Sequence, residues 1–256
     1  IITTSTDEPY YLTNADIINL NGDREISLFK RIYLLYLFIK KKSLNYDAII
    51  ANYNLTAYPV LFASKIKNFY YIQAYEPEFY DEIKNNFLKK SILKLLAWTT
   101  YFLPFIKIVN SNMYIKYKNI KTNNVVYPGI NLEIFYPKKR KSKKQTDIFV
   151  IGCIGRIEEW KGSGDVSEAI KILHNKGYKN IKCVVAFNPV SYDNHSVVYP
   201  NGDKLLADFY RSLDILITPG HIQLDAIHYP VIEAMATKRP LIPTGYYPSS
   251  KENSFL

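Results

Sequence analysis

Cysteine is nearly absent from this chain of 256 residues, with Cys153 and Cys183 the whole complement. Both stand in apolar, strand-like runs, which excludes a disulfide framework and leads us to expect buried thiols in a reducing compartment. Long apolar runs are missing too. None reaches the roughly 18–20 residues that a membrane-spanning helix needs, and the nearest candidates, around 32–39 and 92–109, are broken by Lys, Thr or Pro. Arginine is scarce, six residues against 27 lysines. Nucleic-acid readers lean on Arg for bidentate contacts, and no nucleic-acid motif accompanies the lysines. There is no Asp-x-Asp triplet and no His/Asp/Glu cluster at ligand spacing, so neither a divalent metal nor another cofactor is expected. No Ser-His-Asp order and no activated Cys context appears. No signal peptide is visible. The chain opens inside a strand-like run, Ile1-Ile2-Thr3-Thr4, without Met, and we read its true N-terminus as lying upstream.

What is present describes a globular chain. Hydrophobic residues make up 48% and charged residues only 22%, which argues against disorder and supplies a real core. The length fits one large domain or two small ones. The net charge of +10, carried by lysine, suits either a solvated surface or one facing an anionic membrane. Charge alone does not choose between them.

A run without apolar residues, Lys138-Lys139-Arg140-Lys141-Ser142-Lys143-Lys144, follows Pro137 and reads as a solvated linker over 138–146, with a nucleic-acid or nuclear-localisation patch as the other reading. It separates an N-terminal domain, 1–137, from a C-terminal domain, 147–256. Both alternate strand-like and helix-like segments, which predicts doubly wound α/β units with parallel sheets. Expected C-terminal strands are 148–154, 181–187, 213–218 and 240–243; helices follow Gly164 and cover 204–211 and 230–237. Expected N-terminal strands are 16–20, 47–51, 69–73, 106–110 and 124–127, with long helices at 26–42 and 87–103. A ligand belongs in the cleft between two such domains.

Two segments carry chemistry. Gly155-Arg156-Ile157-Glu158-Glu159-Trp160-Lys161-Gly162 leaves a buried strand and enters a helix. Two cations, two glycines and a helix N-terminus make an anion site there, and Arg156 and Lys161 would stabilise negative charge on a departing diphosphate. An ordinary βα loop with exposed charges fits the same spacing equally well. The second segment is Asp225-Ala226-Ile227-His228-Tyr229-Pro230-Val231-Ile232-Glu233. Pro230 suits a first helical turn, and Glu233, placed in that turn, could accept bonds from vicinal hydroxyls or merely complement the helix dipole.

Taken together these segments resemble the retaining glycosyltransferases of family 4, which have the GT-B fold of two facing Rossmann-like domains. Val125-Val126-Tyr127-Pro128-Gly129-Ile130-Asn131, with Phe135 and Pro137, looks like that family's entry to the linker. Gly155-Arg156 with Lys161-Gly162 matches its GR…KG loop, and Thr218-Pro219 followed by Glu233-Ala234-Met235-Ala236 matches its P-S…E-x7-E-A-M-A segment. The stretch from Tyr70 to Tyr80 is similar to a subgroup that includes bacterial rhamnosyltransferases. The resemblance implies a retaining, metal-independent hexosyltransferase using a nucleotide-sugar and a glycan or lipid-linked acceptor in bacterial surface polysaccharide synthesis. It also implies a cytoplasmic setting, peripheral on the inner face of the plasma membrane.

Carried over by residue, it puts Arg156 and Lys161 on the donor diphosphate, Glu233 on the nucleotide ribose and Asp225 near the donor sugar. Gly155, Gly162, His228, Tyr229, Pro230 and Val231 would complete the donor site. Asp225 replaces the usual Glu, one methylene shorter, and His228 and Tyr229 replace Gly and a small or apolar residue. All four histidines lie in the C-terminal half, so the N-terminal His of many members has no counterpart; Gln73, Tyr75, Glu76 and Glu78 are the polar candidates for acceptor or sugar contact. Lys89, Lys90 and Lys94 interleave with Ile92, Leu95, Leu96 and Trp98, the composition of an interfacial helix or of a Rossmann core with a lysine rim. Other readings are a GT-B epimerase and a non-catalytic nucleotide-sugar-binding or membrane-docking module. Against complete family members, the chain reads as the middle of a longer protein, lacking a first strand and a C-terminal end.

Overall fold

The computed structural model describes residues 1–4, 15–22, 26–82, 86–139, 148–187, 195–223 and 225–247. They divide into two compact units, Ile1–Tyr127 and Pro128–Leu256.

In the first unit, β1 (Ile2–Thr3) and β2 (Ile18–Asn19) form a short parallel pair. Then come α1 (Leu28–Lys42), β3 (Ala48–Ala51), α2 (Asn54–Ala63), β4 (Lys67–Ile72), α3 (Glu76–Phe79), α4 (Phe87–Thr100) and β5 (Ile106–Val109). The sheet runs β3-β4-β5, all parallel. Ser27 caps α1 by accepting from the Lys30 amide, and Lys40, Lys41 and Lys42 face its carbonyl end, the arrangement the helix dipole favours. The strand expected at 124–127 shrinks to one bridge between Val109 and Val125. The side chains of Thr122 and Asn124 both donate to the Lys107 carbonyl, which a continued ladder would have used.

The second unit contains β6 (Phe149–Ile154), α5 (Ser163–Asn175), β7 (Ile181–Ala186), β8 (His195–Val198), α6 (Asp203–Ser212), β9 (Ile215–Thr218), α7 (Tyr229–Ala236) and β10 (Leu241–Pro243). Its parallel sheet has the order β10-β9-β6-β7-β8. Side chains alternate across it. Ile151, Cys153, Cys183 and Val185 pack with Val166 and Ile170 of α5. Ala186 and Leu216 pack with Leu206, Phe209, Tyr210, Val231 and Ala234 of α6 and α7. Helices therefore cover both faces, as a continuous apolar strand such as β6 requires. Both cysteines are free and buried.

The division between the units falls ten residues before the boundary expected at 137. Phe135 is buried in the core of the second unit, and Arg211 donates to the carbonyls of Tyr136 and Ile134. The segment after Tyr127 thus packs with the C-terminal sheet. Of the expected linker 138–146, Lys138 pairs with Asp208 at 2.9 Å; 140–146 lie outside the described residues.

Candidate functional site

The strand order of the second unit places a topological switch between β6 and β9. From β6 the chain proceeds to β7 and β8 on one side, then returns to β9 and β10 on the other. The loops leaving β6 and β9 diverge at their carboxyl ends, the crevice where doubly wound sheets bind ligands. A pocket lies there, lined by Ile154, Arg156 and Lys161 from the first loop and Ile217, Thr218, Pro219, His228 and Pro230 from the second.

The two loops are pinned to each other. Gly162 is left-handed (φ 72°), and a Cβ on it would stand 2.7 Å from Pro219 Cβ; the glycine is required both by conformation and by this approach. The His221 amide donates to the Trp160 carbonyl at 3.0 Å, and the His221 ring lies 2.6 Å from Asp165. Ser163 Oγ accepts from the Arg156 amide, holding the turn that presents the guanidinium. Gly155 donates its amide to Ala186, so the loop leaves the sheet in a fixed direction.

Lys161 lies with its ammonium 4.1 Å from the Trp160 ring centroid. Burial, and next the charge of Arg156, lower its pKa to about 8. Burial, then Lys161 and Arg156, depress His228 to about 3, so its imidazole is neutral. The pocket is a partly desolvated corner with cations already in place, an arrangement that favours an anionic ligand.

The second motif differs from expectation in register. The helix begins at Tyr229 rather than Pro230, and its first turn holds no acidic residue. Glu233 is therefore one turn in, where it is buried and accepts from Tyr210 Oη at 2.7 Å. Burial raises its pKa to about 7, partly offset by that hydrogen bond. Val231 also departs from its expected role: its side chain is in the core, and its amide donates to the His228 carbonyl. Pro230 lines the pocket but has no N–H to offer. Tyr229 is half-exposed beside Glu233, and Asp225 is exposed, outside the residues that line the pocket.

In the first unit, Gln73 follows β4 and donates to Asn52 Oδ1 at 2.6 Å. Tyr75 is stacked between Tyr101 and Tyr117. Glu78 accepts from Tyr117 Oη. Tyr75 and Glu78, with Pro77, Ser91, Lys94, Leu95 and Trp98, line an open groove of about 510 Å³. Glu76 is an internal group instead. It is 8% exposed, and its carboxylate takes bonds from the Asn54 amide and from the hydroxyls of Tyr70 and Tyr101. Those bonds cap the start of α2 and leave it no role on a sugar.

Tyr210 and Tyr246, which no sequence motif singles out, reach this corner only through the fold, Tyr210 by its bond to Glu233 and Tyr246 by stacking on His228.

No protein-family model matches the chain. Over 155 residues, 54% of the chain, it is 26% identical to the capsular polysaccharide biosynthesis glycosyltransferase CapM of Staphylococcus aureus, a match covering 40% of that protein. In structure it is similar to TarM, with a TM-score of 0.58 at 14% identity over 88% of this chain and 46% of that one. A mutant of S. aureus TarM in complex with fondaparinux, α-GlcNAc-glycerol and UDP gives 0.52 at 12% identity, over 88% and 48%. S. aureus MnaA with UDP gives 0.50 at 13%, over 88% and 65%. The chain thus spans 40% of the length of the curated relative and less than half of TarM. At these identities the structural likeness shows the fold alone: α/β, with parallel sheets, in Rossmann-like units of GT-B type.

Proposed function

We propose that this chain belongs to a retaining glycosyltransferase that moves a hexose from a nucleotide-sugar to a glycan or lipid-linked acceptor in bacterial surface polysaccharide synthesis. The observation that carries the reading is the pocket at the β6/β9 switch point, with Arg156 and Lys161 on one wall and the start of α7 on the other. The sequence similarity to CapM points the same way.

In this reading Arg156 and Lys161 neutralise the charge that gathers on the diphosphate as it leaves. No strong enzyme base is needed, and no metal, in keeping with the lack of an Asp-x-Asp triplet. Glu233 offers the ribose its second oxygen, since Oε2 is held by Tyr210. Asp225, exposed at the loop, reaches the donor sugar directly or through water. Gln73, Tyr75 and Glu78 serve the acceptor, and the groove beside α4 is within the usual size of ligand sites, roughly 300–1,000 Å³.

The exposed apolar residues of the first unit support a peripheral membrane role. Phe29, Phe87 and Leu88 are 84%, 83% and 69% exposed, and lysines interleave with them on α1 and α4.

The test is a panel of UDP-, GDP- and dTDP-hexoses incubated with the intact protein, read as nucleoside diphosphate release with and without glycan acceptors. One donor should be turned over, and Glu233→Ala and Lys161→Ala should each abolish turnover while leaving the fold intact. Near-normal rates in both variants would sink the site assignment. A donor that raises thermal stability without turnover would favour a binding module instead.

A further inference from the structure

Two polar groups that line the pocket at the β6/β9 switch point, Thr218 Oγ1 and His228 Nδ1, have no hydrogen-bond partner among the described residues. Thr218 is only 3% exposed. A buried polar group left unpaired is costly, so this pair beside two cations marks a place completed by something else.

The imidazole is held without using its nitrogens. Its ring stacks on Tyr246 with centroids 4.4 Å apart and planes 18° from parallel. Tyr246 is itself buried, 3% exposed. Its hydroxyl reaches the backbone of Gly220, where a Cβ would lie 2.1 Å from that oxygen, and Thr244 Oγ1 ties the tail of β10 to the Gly220 carbonyl at 2.9 Å. His228 has an ordinary extended backbone, φ −119°, so nothing in the turn demands this residue.

We propose that His228 contacts the ligand of this pocket, donating a ring N–H to a phosphate or sugar oxygen of the nucleotide-sugar, and that Tyr246 is the positioning residue that fixes the ring. The inference rests on the nucleotide-sugar reading above. The charged groups that reach the imidazole are Lys161 and Arg156, and with burial they keep it neutral. A neutral donor needs no proton from solvent when the ligand arrives.

The experiment measures binding of UDP-, GDP- and dTDP-hexoses to the intact protein by calorimetry and follows the donor that binds best. His228→Gly should weaken that binding by about tenfold, and His228→Asn, which keeps a neutral N–H donor, should recover most of the loss. Tyr246→Leu, which removes the stack, should behave like His228→Gly. The His228 pair decides the matter if Tyr246→Leu does not fold. Wild-type affinity in His228→Gly overturns the inference. Inorganic pyrophosphate separates the two readings. Pyrophosphate binding that depends on His228, with no nucleotide-sugar binding, keeps the contact and removes the nucleotide reading; binding of neither removes both.

Discussion

Lys161 carries a charge that is conditional on pH. Burial and Arg156 bring its pKa down to about 8, so above that value the empty pocket loses a cation that a diphosphate would need. Nucleotide-sugar affinity should fall by up to about tenfold per pH unit above pH 8. Lys161→Arg, charged throughout that range, should flatten the decline, as titrations from about pH 7 to pH 9.5 would reveal. Glu233 works in the opposite sense. Its folded pKa is raised from 4.5 to about 7, so the stability its proton supplies is complete below 4.5 and lost as the pH rises through 7. Glu233→Gln keeps an acceptor for Tyr210 and cannot ionise. It should match the wild type near pH 4.5 and exceed it above pH 7 by up to about 3 kcal/mol, measured by urea unfolding. That gain should come with loss of transfer, since the buried carboxylate is a group retained at a cost in stability.

At the scale of elements, Glu76 joins β4, the start of α2 and Tyr101 just beyond α4. Glu76→Ala would strand the hydroxyls of Tyr70 and Tyr101 and the Asn54 amide, and should lower stability by about 3–5 kcal/mol in equilibrium unfolding, more than Glu76→Gln. The sequence offered this carboxylate as a candidate for acceptor or sugar contact and could not show that Tyr70 and Tyr101 close over it. The same limit accounts for other gaps. Helix α2 was not legible because it is apolar on nearly all sides and contains Pro59, so no helical periodicity stood out. Strand β8 is a four-residue edge strand, His-Ser-Val-Val, partly buried throughout, too short and mixed to read as a core strand. The start of α7 was misread by one residue, and that single step moved Glu233 from the first turn to the second. By contrast, β6 was visible as a continuous apolar run, because a strand covered on both faces leaves little room for polar residues.

On the whole-molecule scale, the alternation of strands and helices was enough to reach an α/β parallel-sheet fold, and the two motif loops are the ones that meet at the β6/β9 switch point. The packing of the segment after Tyr127 was not legible, because it depends on Phe135 finding a core far along the chain. The lysine excess is also a whole-molecule property. With Phe29, Phe87 and Leu88 exposed on α1 and α4, the protein should sediment with vesicles containing anionic lipid and not with neutral ones, and salt should release it. Salt-insensitive absence from both vesicle types would remove the membrane role. The central claim, however, is that the corner between β6 and β9 seats the diphosphate of a nucleotide-sugar. Its most direct test is calorimetric titration of UDP, GDP and dTDP into the wild type and into Lys161→Ala and Arg156→Ala. The account predicts that one nucleotide binds the wild type and that each variant weakens it by about tenfold or more; binding that both variants leave unchanged would contradict it.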